Sequence, residues 1–254
     1  MRMISWRFIR LWQRNRDVFL KLWHSEVTGF VVEPTLLLLV MGLGLGAYMG
    51  MVNGREYIDF MAPGVIASYA MFSASFECTY GTYFRMEHQK TFDAIIATPL
   101  SVEDVIAGEI FWGATRAFLT GSVILAVAAG FQLVHTPWAL LIPFLTFLQG
   151  FMFSAIAISF TAVTPSINTY NHYFSLFISP MFFFSGVFFP LTSFPEIVQR
   201  LSWIAPLTPA VNLTRSLFFG QFSRDNWLAL GLILGLTIAF FALGLRLMRR
   251  RLIV

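Results

Sequence analysis

The chain has 254 residues, of which 57% are hydrophobic, 17% aromatic and 12% charged. A soluble domain carries roughly a quarter charged residues, and about half that fraction is too little to cover a water-facing surface of this size. The composition therefore excludes a soluble globular protein. The net charge of +4 favours anionic lipid headgroups over nucleic acid, because no basic stripe alternates with exposed aromatic residues. The single cysteine, Cys78, excludes an intramolecular disulfide and a thiolate zinc site.

The first segment, residues 1–27, has the pattern of an amphipathic helix. Phe8, Trp12 and Phe19 fall on its apolar face, and Arg7 and Arg14 fall on the opposite face. A helix with tryptophan on one side and arginine on the other is expected to lie in the headgroup layer, along the membrane. The alternative is a surface helix that packs on a soluble partner.

Six apolar stretches follow, at about 29–52, 58–82, 105–131, 138–163, 170–189 and 227–247. Each is long enough to cross about 30 Å of hydrocarbon as a helix, and a helix satisfies its own backbone hydrogen bonds there. The sequence thus predicts one all-α integral membrane domain over 1–254. With a cytoplasmic N-terminus, twelve lysines and arginines lie in inner segments and four in outer ones, which predicts that both termini are cytoplasmic.

Two connections are longer than simple turns. The outer segment 190–226 contains four prolines and two short apolar stretches, which predict two short re-entrant or interfacial helices. The inner segment 83–104 has the pattern of a short amphipathic helix ending at Pro99, and Ser101 with Asp104 predicts a capping box for the next span. Such a helix, held between two spans, is suited to act as a lever. A solvated loop that only connects the spans explains the same residues equally well.

Four charged residues lie more than two residues inside the ends of the predicted spans: Glu33, Glu77, Glu109 and Arg116. Charges are costly in hydrocarbon, so each should face protein, water or a counter-charge. Glu109 and Arg116 are two helical turns apart and can approach each other or reach neighbouring helices; a structural intramembrane pair is the favoured interpretation. Glu77 either lines a path or is protonated and hydrogen-bonded in the bundle, and the residues do not separate these alternatives.

The chain lacks the motifs of an enzyme. Neither lysine follows glycine in a phosphate-binding loop, so ATP would have to bind another polypeptide. The four histidines are scattered without metal-ligand spacing, and no nucleophile-elbow or paired-carboxylate motif is present. We therefore expect no catalytic residues, no metal and no cofactor in this chain.

The chain resembles the ABC-2 type (type V) exporter permeases, most closely the nodulation-type lipo-oligosaccharide permeases. The resemblance covers nearly the whole chain and rests on the run QKTFDAIIATPL at 89–100, on PMFFFSGVFFP at 180–190 and on PLTP at 206–209. It implies an exporter of the bacterial inner membrane that acts as a homodimer with two copies of a separate ATPase, which binds ATP and magnesium. It also implies that the inner segment is a coupling helix whose ATPase-facing residues are Glu87, His88, Gln89, Lys90, Thr91, Phe92 and Asp93.

The resemblance further implies that the second and fifth spans of two protomers face each other across the translocation path. The candidate path or gate residues are Glu77, Phe174, Phe177, Phe182 and Phe183. Bulky rings there would form a closed, dewetted gate suited to an amphiphilic substrate such as a lipo-oligosaccharide, polysaccharide, lipid or drug. The alternative is a lipid-facing aromatic wall.

Two other functional classes compete with the exporter. An ion-gradient-driven secondary transporter or channel would need intramembrane acids arranged as ion sites, and Glu77 is the one fair candidate. A membrane-embedded enzyme is disfavoured because the catalytic constellation is missing.

Overall fold

The computed structural model describes residues 5–52 and 54–252, apart from the side chains at 25–28, 30 and 96. The first four residues of the predicted interfacial helix lie outside the described part. The helices are α1 (Phe8–Leu39), α2 (Gly46–Met49), α3 (Tyr57–Phe76), α4 (Thr91–Ile96), α5 (Val102–Gly130), α6 (Ile142–Val163), α7 (Thr169–Tyr173), α8 (Ser179–Phe184), α9 (Glu196–Ser202), α10 (Leu207–Phe219) and α11 (Arg224–Leu252).

Several helices are joined without a loop. π-Helical turns at Val40–Leu45, Glu77–Gly81, Phe84–His88 and Phe174–Ile178 continue α1, α3 and α7, and 3-10 turns lie at Pro137–Leu141 and Leu191–Ser193. The extended segments described are β1 (Met51–Val52) and β2 (Arg55–Glu56), which pair antiparallel with Met51 opposite Glu56. The all-α class predicted from the apolar stretches is confirmed.

Helices α5 and α6 form the centre of the bundle; α1 and α3 pack on α5, and α11 packs on α6. Small residues bring α5 and α6 together. A Cβ atom at Gly121 would lie 2.6 Å from Thr146 Cγ2, and one at Gly113 would overlap the Ser154 hydroxyl of α6. Because no methyl group fits at that separation, glycine at these positions permits the close helix contact.

Four helices in the described part of the chain are long and apolar enough to cross a membrane: Val31–Met49, Val102–Gly130, Pro137–Val163 and Arg224–Leu252. The predicted spans 58–82 and 170–189 are not among them. The predicted span 58–82 is helical, but most of its residues are buried in the bundle. The second is helical for only 16 residues, from Thr169 to Phe184, because the chain then turns at Gly186, whose φ of 79° favours glycine.

No break in the helix marks the predicted boundary between an interfacial helix and the first span. Helix α1 runs for 32 residues, and its single proline is Pro34. Its N-terminal half packs on α5: the rings of Phe8 and Phe111 are 5.6 Å apart, and Trp12 Nε1 donates to Thr115 Oγ1 at 2.9 Å. Part of the apolar face assigned to lipid is therefore covered by protein.

The capping box at the start of α5 is confirmed. Ser101 Oγ accepts from Asp104 N at 3.1 Å, and Asp104 Oδ2 accepts from Ser101 N at 3.2 Å. The same carboxylate also accepts from Ser5 N at 2.7 Å. Asp104 thus joins the beginning of α5 to the chain entering α1, a contact that the local pattern does not predict.

Replacing Asp104 by alanine should therefore cost more stability than replacing Ser101. We expect a loss of about 1 kcal/mol for Ser101→Ala, as for an ordinary cap, and about 2–3 kcal/mol for Asp104→Ala, because charge-assisted bonds to two segments disappear. Equilibrium unfolding of the detergent-purified protein measures both. Equal losses in the two variants would show that the bond to Ser5 contributes nothing.

The outer segment 190–226 contains the short helices α9 and α10, and their re-entrant or interfacial placement stays a prediction. Helix α10 begins directly after Pro206 and ends at Phe219, where Gly220, with a φ of 67°, forms the C-cap. It packs against α3, α6 and α11.

Candidate functional site

A buried cluster of charged side chains joins α3, α5 and the 83–104 segment. Arg85 lies between two carboxylates: its Nη1 is 2.8 Å from Glu77 Oε1, and its Nη2 pairs with Glu109 Oε2. Arg116 Nε lies 3.6 Å from Glu77 Oε2. The Glu109 side chain has no exposed surface and also accepts from Thr82 Oγ1 at 3.0 Å. Each carboxylate thus has a counter-charge, as an apolar environment requires.

The favoured pairing of Glu109 with Arg116 is wrong. Among the described residues, Glu109 is paired with Arg85 and Arg116 with Glu77, so each reaches a neighbouring segment, the alternative that the spacing also allowed. Glu77 pairs with two arginines and lines a polar cavity, so its role on a translocation path stays a prediction.

Arg85 reaches back over Glu77 because Gly81 lies between them. A Cβ atom at Gly81 would lie 3.1 Å from Glu77 Oε1 and 3.3 Å from Arg85 Nη1. Residues four apart share a helix face, so acid, glycine and arginine at this spacing form a stack. The pattern Glu-x3-Gly-x3-Arg is the signal in the sequence that could have identified Arg85 as a partner of Glu77.

Two cavities share walls at this cluster. The polar cavity, of about 560 Å³, lies between α1, the π-helical turns at 77–88 and α5, and three arginines line it: Arg14, Arg85 and Arg116. The aromatic cavity, of about 490 Å³, lies between α1, α3, α5 and the 169–184 run. Phe76 and Arg116 line both cavities. Burial lowers the pKa of Arg14, and the nearby Glu109 carboxylate opposes that shift.

The aromatic cavity contains two of the four predicted gate phenylalanines. Phe174 and Phe182 line it together with Phe72 and Phe76 of α3; the rings of Phe72 and Phe182 are 5.3 Å apart. Phe177 lines a separate apolar cleft against α6 and α11. Phe183 is 55% exposed and lines neither cavity. Helix α3 and the 169–184 run thus meet within one chain, and the phenylalanines divide between an inner wall and an outer face.

Truncating Phe182 should open the aromatic cavity, whereas truncating Phe183 should not. We expect Phe182→Ala to cost about 1–3 kcal/mol, less than a fully buried phenylalanine because the ring is half-buried. It should also raise the uptake of an apolar fluorescent probe several-fold. Phe183→Ala is the matched control. Equal probe binding by both variants would place the two rings in the same lipid-facing wall.

The 83–104 segment presents a polar tip. The helical conformation is interrupted at Lys90, whose φ is 51°, and α4 begins at the next residue. His88, Gln89, Lys90 and Asp93 are exposed, and Glu87 and Thr91 are half-buried. Phe92 differs from the expectation that it faces a partner: its side chain has no exposed surface and packs in the core. Its ring anchors α4, and the exposed residues around it form the surface that a partner can touch.

The tip is tied to both ends of the chain. Arg251 Nη2 of α11 lies 2.8 Å from Glu87 Oε1, and Arg251 Nη1 donates to Thr164 O at 2.7 Å. Arg249 Nη1 lies 3.4 Å from Glu103 Oε1. On the other side, Arg7 Nη1 donates to Pro99 O at 2.7 Å. The 83–104 segment is therefore braced against α1 and α11 as well as against α3 and α5.

Comparison with known proteins gives one family match and several relatives of similar length. Residues 4–219 match the family described as ABC-2 type transporter. Nodulation protein J of Sinorhizobium fredii is 33% identical over 98% of this chain and 95% of its own length, and Nodulation protein J of Rhizobium meliloti is 34% identical over the same shares. The inner membrane transport permease YadH of Escherichia coli is 20% identical over 94% of this chain and 93% of its own length.

Proposed function

The chain belongs to the ABC-2 type transporter family, and we propose that it is the membrane-spanning subunit of an ATP-driven exporter. A multi-pass membrane permease of this family is a transport subunit and not itself an ATPase. In our proposal it works as a homodimer in the bacterial inner membrane, with two copies of a separate ATPase that binds ATP and magnesium. Its cargo is an amphiphile taken from the cytoplasm or the inner leaflet.

The proposed topology has six crossings with both termini in the cytoplasm. Beside the four long apolar helices, the helical run from Tyr57 to His88 and the shorter run from Thr169 to Phe184 complete the set. At 1.5 Å per residue the latter is about 24 Å long, short of about 30 Å of hydrocarbon. The turn at Gly186 and helices α9 and α10 fill the remaining depth from the outer side. The excess of arginine and lysine at 1–27, 83–104 and the C-terminus supports this orientation.

The observation that carries the proposal is the braced polar tip at His88, Gln89, Lys90 and Asp93. A partner that binds these exposed residues can displace the 83–104 segment. That segment is joined through Glu87 to α11, through Pro99 to α1 and through Arg85 to α3 and α5. Displacement of the tip is thereby transmitted to most of the bundle. A loop that served only to connect two spans would not need ion pairs to α11 and a hydrogen bond to α1.

The two adjoining cavities support an amphiphilic cargo. The polar cavity offers arginines for an anionic or hydrogen-bonding headgroup, and the aromatic cavity offers rings for an apolar part. Arg116 and Phe76, on the shared wall, lie where the two parts of such a molecule would meet.

Reconstitution distinguishes the exporter from an ion-gradient-driven transporter or channel. The purified chain is placed in proteoliposomes with and without a candidate ATPase subunit, and the movement of a fluorescent lipid analogue is followed. We expect movement that requires ATP and the partner and that survives an ionophore. Movement without the partner, abolished by the ionophore, would support the alternative class. The pairing of Glu77 with two arginines already disfavours that alternative, because a bridged carboxylate is a poor ion site.

A further inference from the structure

A third cavity, of about 320 Å³, lies at the opposite end of the bundle from the 83–104 segment. Its wall includes Arg55 of β2, Phe60 of α3, Arg215 of α10 and Asn226 in the first turn of α11. The other end of α11 holds Arg251 against Glu87, about 38 Å away at 1.5 Å per residue. This cavity is therefore separated from the polar tip by about the thickness of a membrane. It is distinct from the 83–104 segment, from the polar cavity and from the aromatic cavity.

Two buried hydrogen-bond donors in this wall have no partner. Arg215 Nε and Asn226 Nδ2 are both buried without a hydrogen bond in the described structure. Two other polar atoms of these side chains have partners: Arg215 Nη2 donates to Gly186 O at 2.8 Å, and Asn226 Oδ1 accepts from Ser216 Oγ at 3.1 Å. A buried donor without an acceptor is unfavourable by about 1–3 kcal/mol. Both unmet groups are N–H donors, so a ligand that satisfies them presents an acceptor atom such as an oxygen.

The charge of the wall points to an anion. Arg55 and Arg215 line the cavity with one acid, Asp225, which is exposed. The Arg215 guanidinium lies 4.2 Å from the centre of the Phe60 ring, and the Arg55 guanidinium lies 3.7 Å from that of Phe219. Stacking against these rings fixes the plane of each guanidinium group, and N–H groups at its edge can then donate to a ligand. Burial lowers the pKa of Arg215 to about 10, the shift that a charge acquires when desolvated without a counter-ion.

We propose that this outer cavity binds an oxyanion, and specifically a phosphate group. Arg215 and Arg55 supply the charge, Asn226 supplies a neutral donor, and the rings of Phe60 and Phe219 form an apolar floor against which the remainder of the ligand rests. The volume is at the lower end of the range for small-molecule sites, which suits a headgroup and not a whole lipid. The phosphate comes either from an anionic lipid of the outer leaflet or from solution. This assignment does not depend on the exporter role.

Binding to the full-length chain in an uncharged maltoside detergent tests the proposal. The probes are dioctanoyl phosphatidylglycerol and inorganic phosphate, each titrated while the melting temperature and tryptophan fluorescence are recorded; Trp203 in the wall provides a local signal. We expect saturable binding of at least one probe. Binding of phosphatidylglycerol alone identifies a lipid headgroup as the source, and binding of both identifies free phosphate as a competent ligand.

Two variants and a control keep the test specific. Arg55→Gln removes a charge from the wall, and Asn226→Asp replaces the unmet donor by an oxygen of like charge to the ligand. Each should weaken binding about tenfold or more, equivalent to about 1.4 kcal/mol. Arg224→Gln, an exposed arginine that does not line the cavity, is the control and should bind as the parent does. Absence of saturable binding to either probe, or binding that both cavity variants leave unchanged, would overturn the proposal.

Discussion

Replacing Arg85 by methionine is expected to destabilise the protein by about 3–5 kcal/mol, because it strands a buried carboxylate without its counter-charge. Glu109 has no exposed side-chain surface, and its ion-pair partner among the described residues is Arg85. Arg85→Lys should recover only part of the loss, since one ammonium group cannot reach both Glu77 and Glu109 as the two arms of a guanidinium do. Equilibrium unfolding in mixed detergent micelles measures the difference.

A second substitution separates a stranded charge from lost packing. If the stranded charge dominates, Glu109→Gln combined with Arg85→Met should be more stable than Arg85→Met alone, because Glu77 keeps Arg116 and no unpaired carboxylate remains. Arg200→Met is the matched control: Arg200 is 83% exposed beside Glu196, and such a pair contributes at most about 1 kcal/mol. Unfolding of Arg85→Met at the same midpoint as Arg200→Met would show that the cluster has no structural role.

Reversing the charges of the polar tip should disconnect the permease from its ATPase without unfolding it. Lys90 and Asp93 are exposed, so the double variant Lys90→Glu and Asp93→Lys should change stability by less than about 0.5 kcal/mol. ATP-dependent transport should fall at least tenfold, because both side chains would present the wrong sign to the partner surface. Transport and partner ATPase activity in proteoliposomes check this.

Phe92 gives the contrasting result within the same helix. Phe92→Ala removes a fully buried ring and should cost about 3–5 kcal/mol in stability, with transport lost in proportion to the protein that remains folded. Glu196→Lys is the control. It reverses the charge of an exposed side chain in α9, outside the polar tip, and should leave transport intact. If the Lys90 and Asp93 reversal transported normally, the tip would not be the contact with the ATPase.

The long apolar helices were predictable because they obey local rules. Residues 105–131, 138–163 and 227–247 correspond to α5, to the run from Pro137 to Val163 and to α11, with ends shifted by a few residues. The capping box at Ser101 could be predicted because both partners lie within one turn. The end of the fifth run at Phe184 was missed because the apolar pattern continues through Phe188 and Phe189, while the chain itself turns at the left-handed Gly186.

The sequence could predict which charged residues belong to the candidate site, but not which ion pairs they form. The sequence shows which residues are costly to bury, and Glu77, Glu109 and Arg116 all belong to the cluster. It does not show that Arg85 turns back from the inner segment to bridge two of them, nor that Arg251 reaches Glu87 across 164 residues. These contacts depend on tertiary packing. Likewise, the spacing of apolar residues in α4 predicts that Phe92 lies on an apolar face of the helix. It does not show whether the protein core or a partner covers that face.

Cross-linking from the polar tip tests the central claim most directly. Cys78 is buried, so Asp93→Cys provides the one accessible thiol among the described residues. A heterobifunctional reagent attached there in native membranes should yield an adduct with a polypeptide that carries a phosphate-binding loop, identified by mass spectrometry. ATP turnover should change the yield. Modification of that thiol by a membrane-impermeant reagent added outside intact cells, or adducts without any nucleotide-binding polypeptide, would contradict the account.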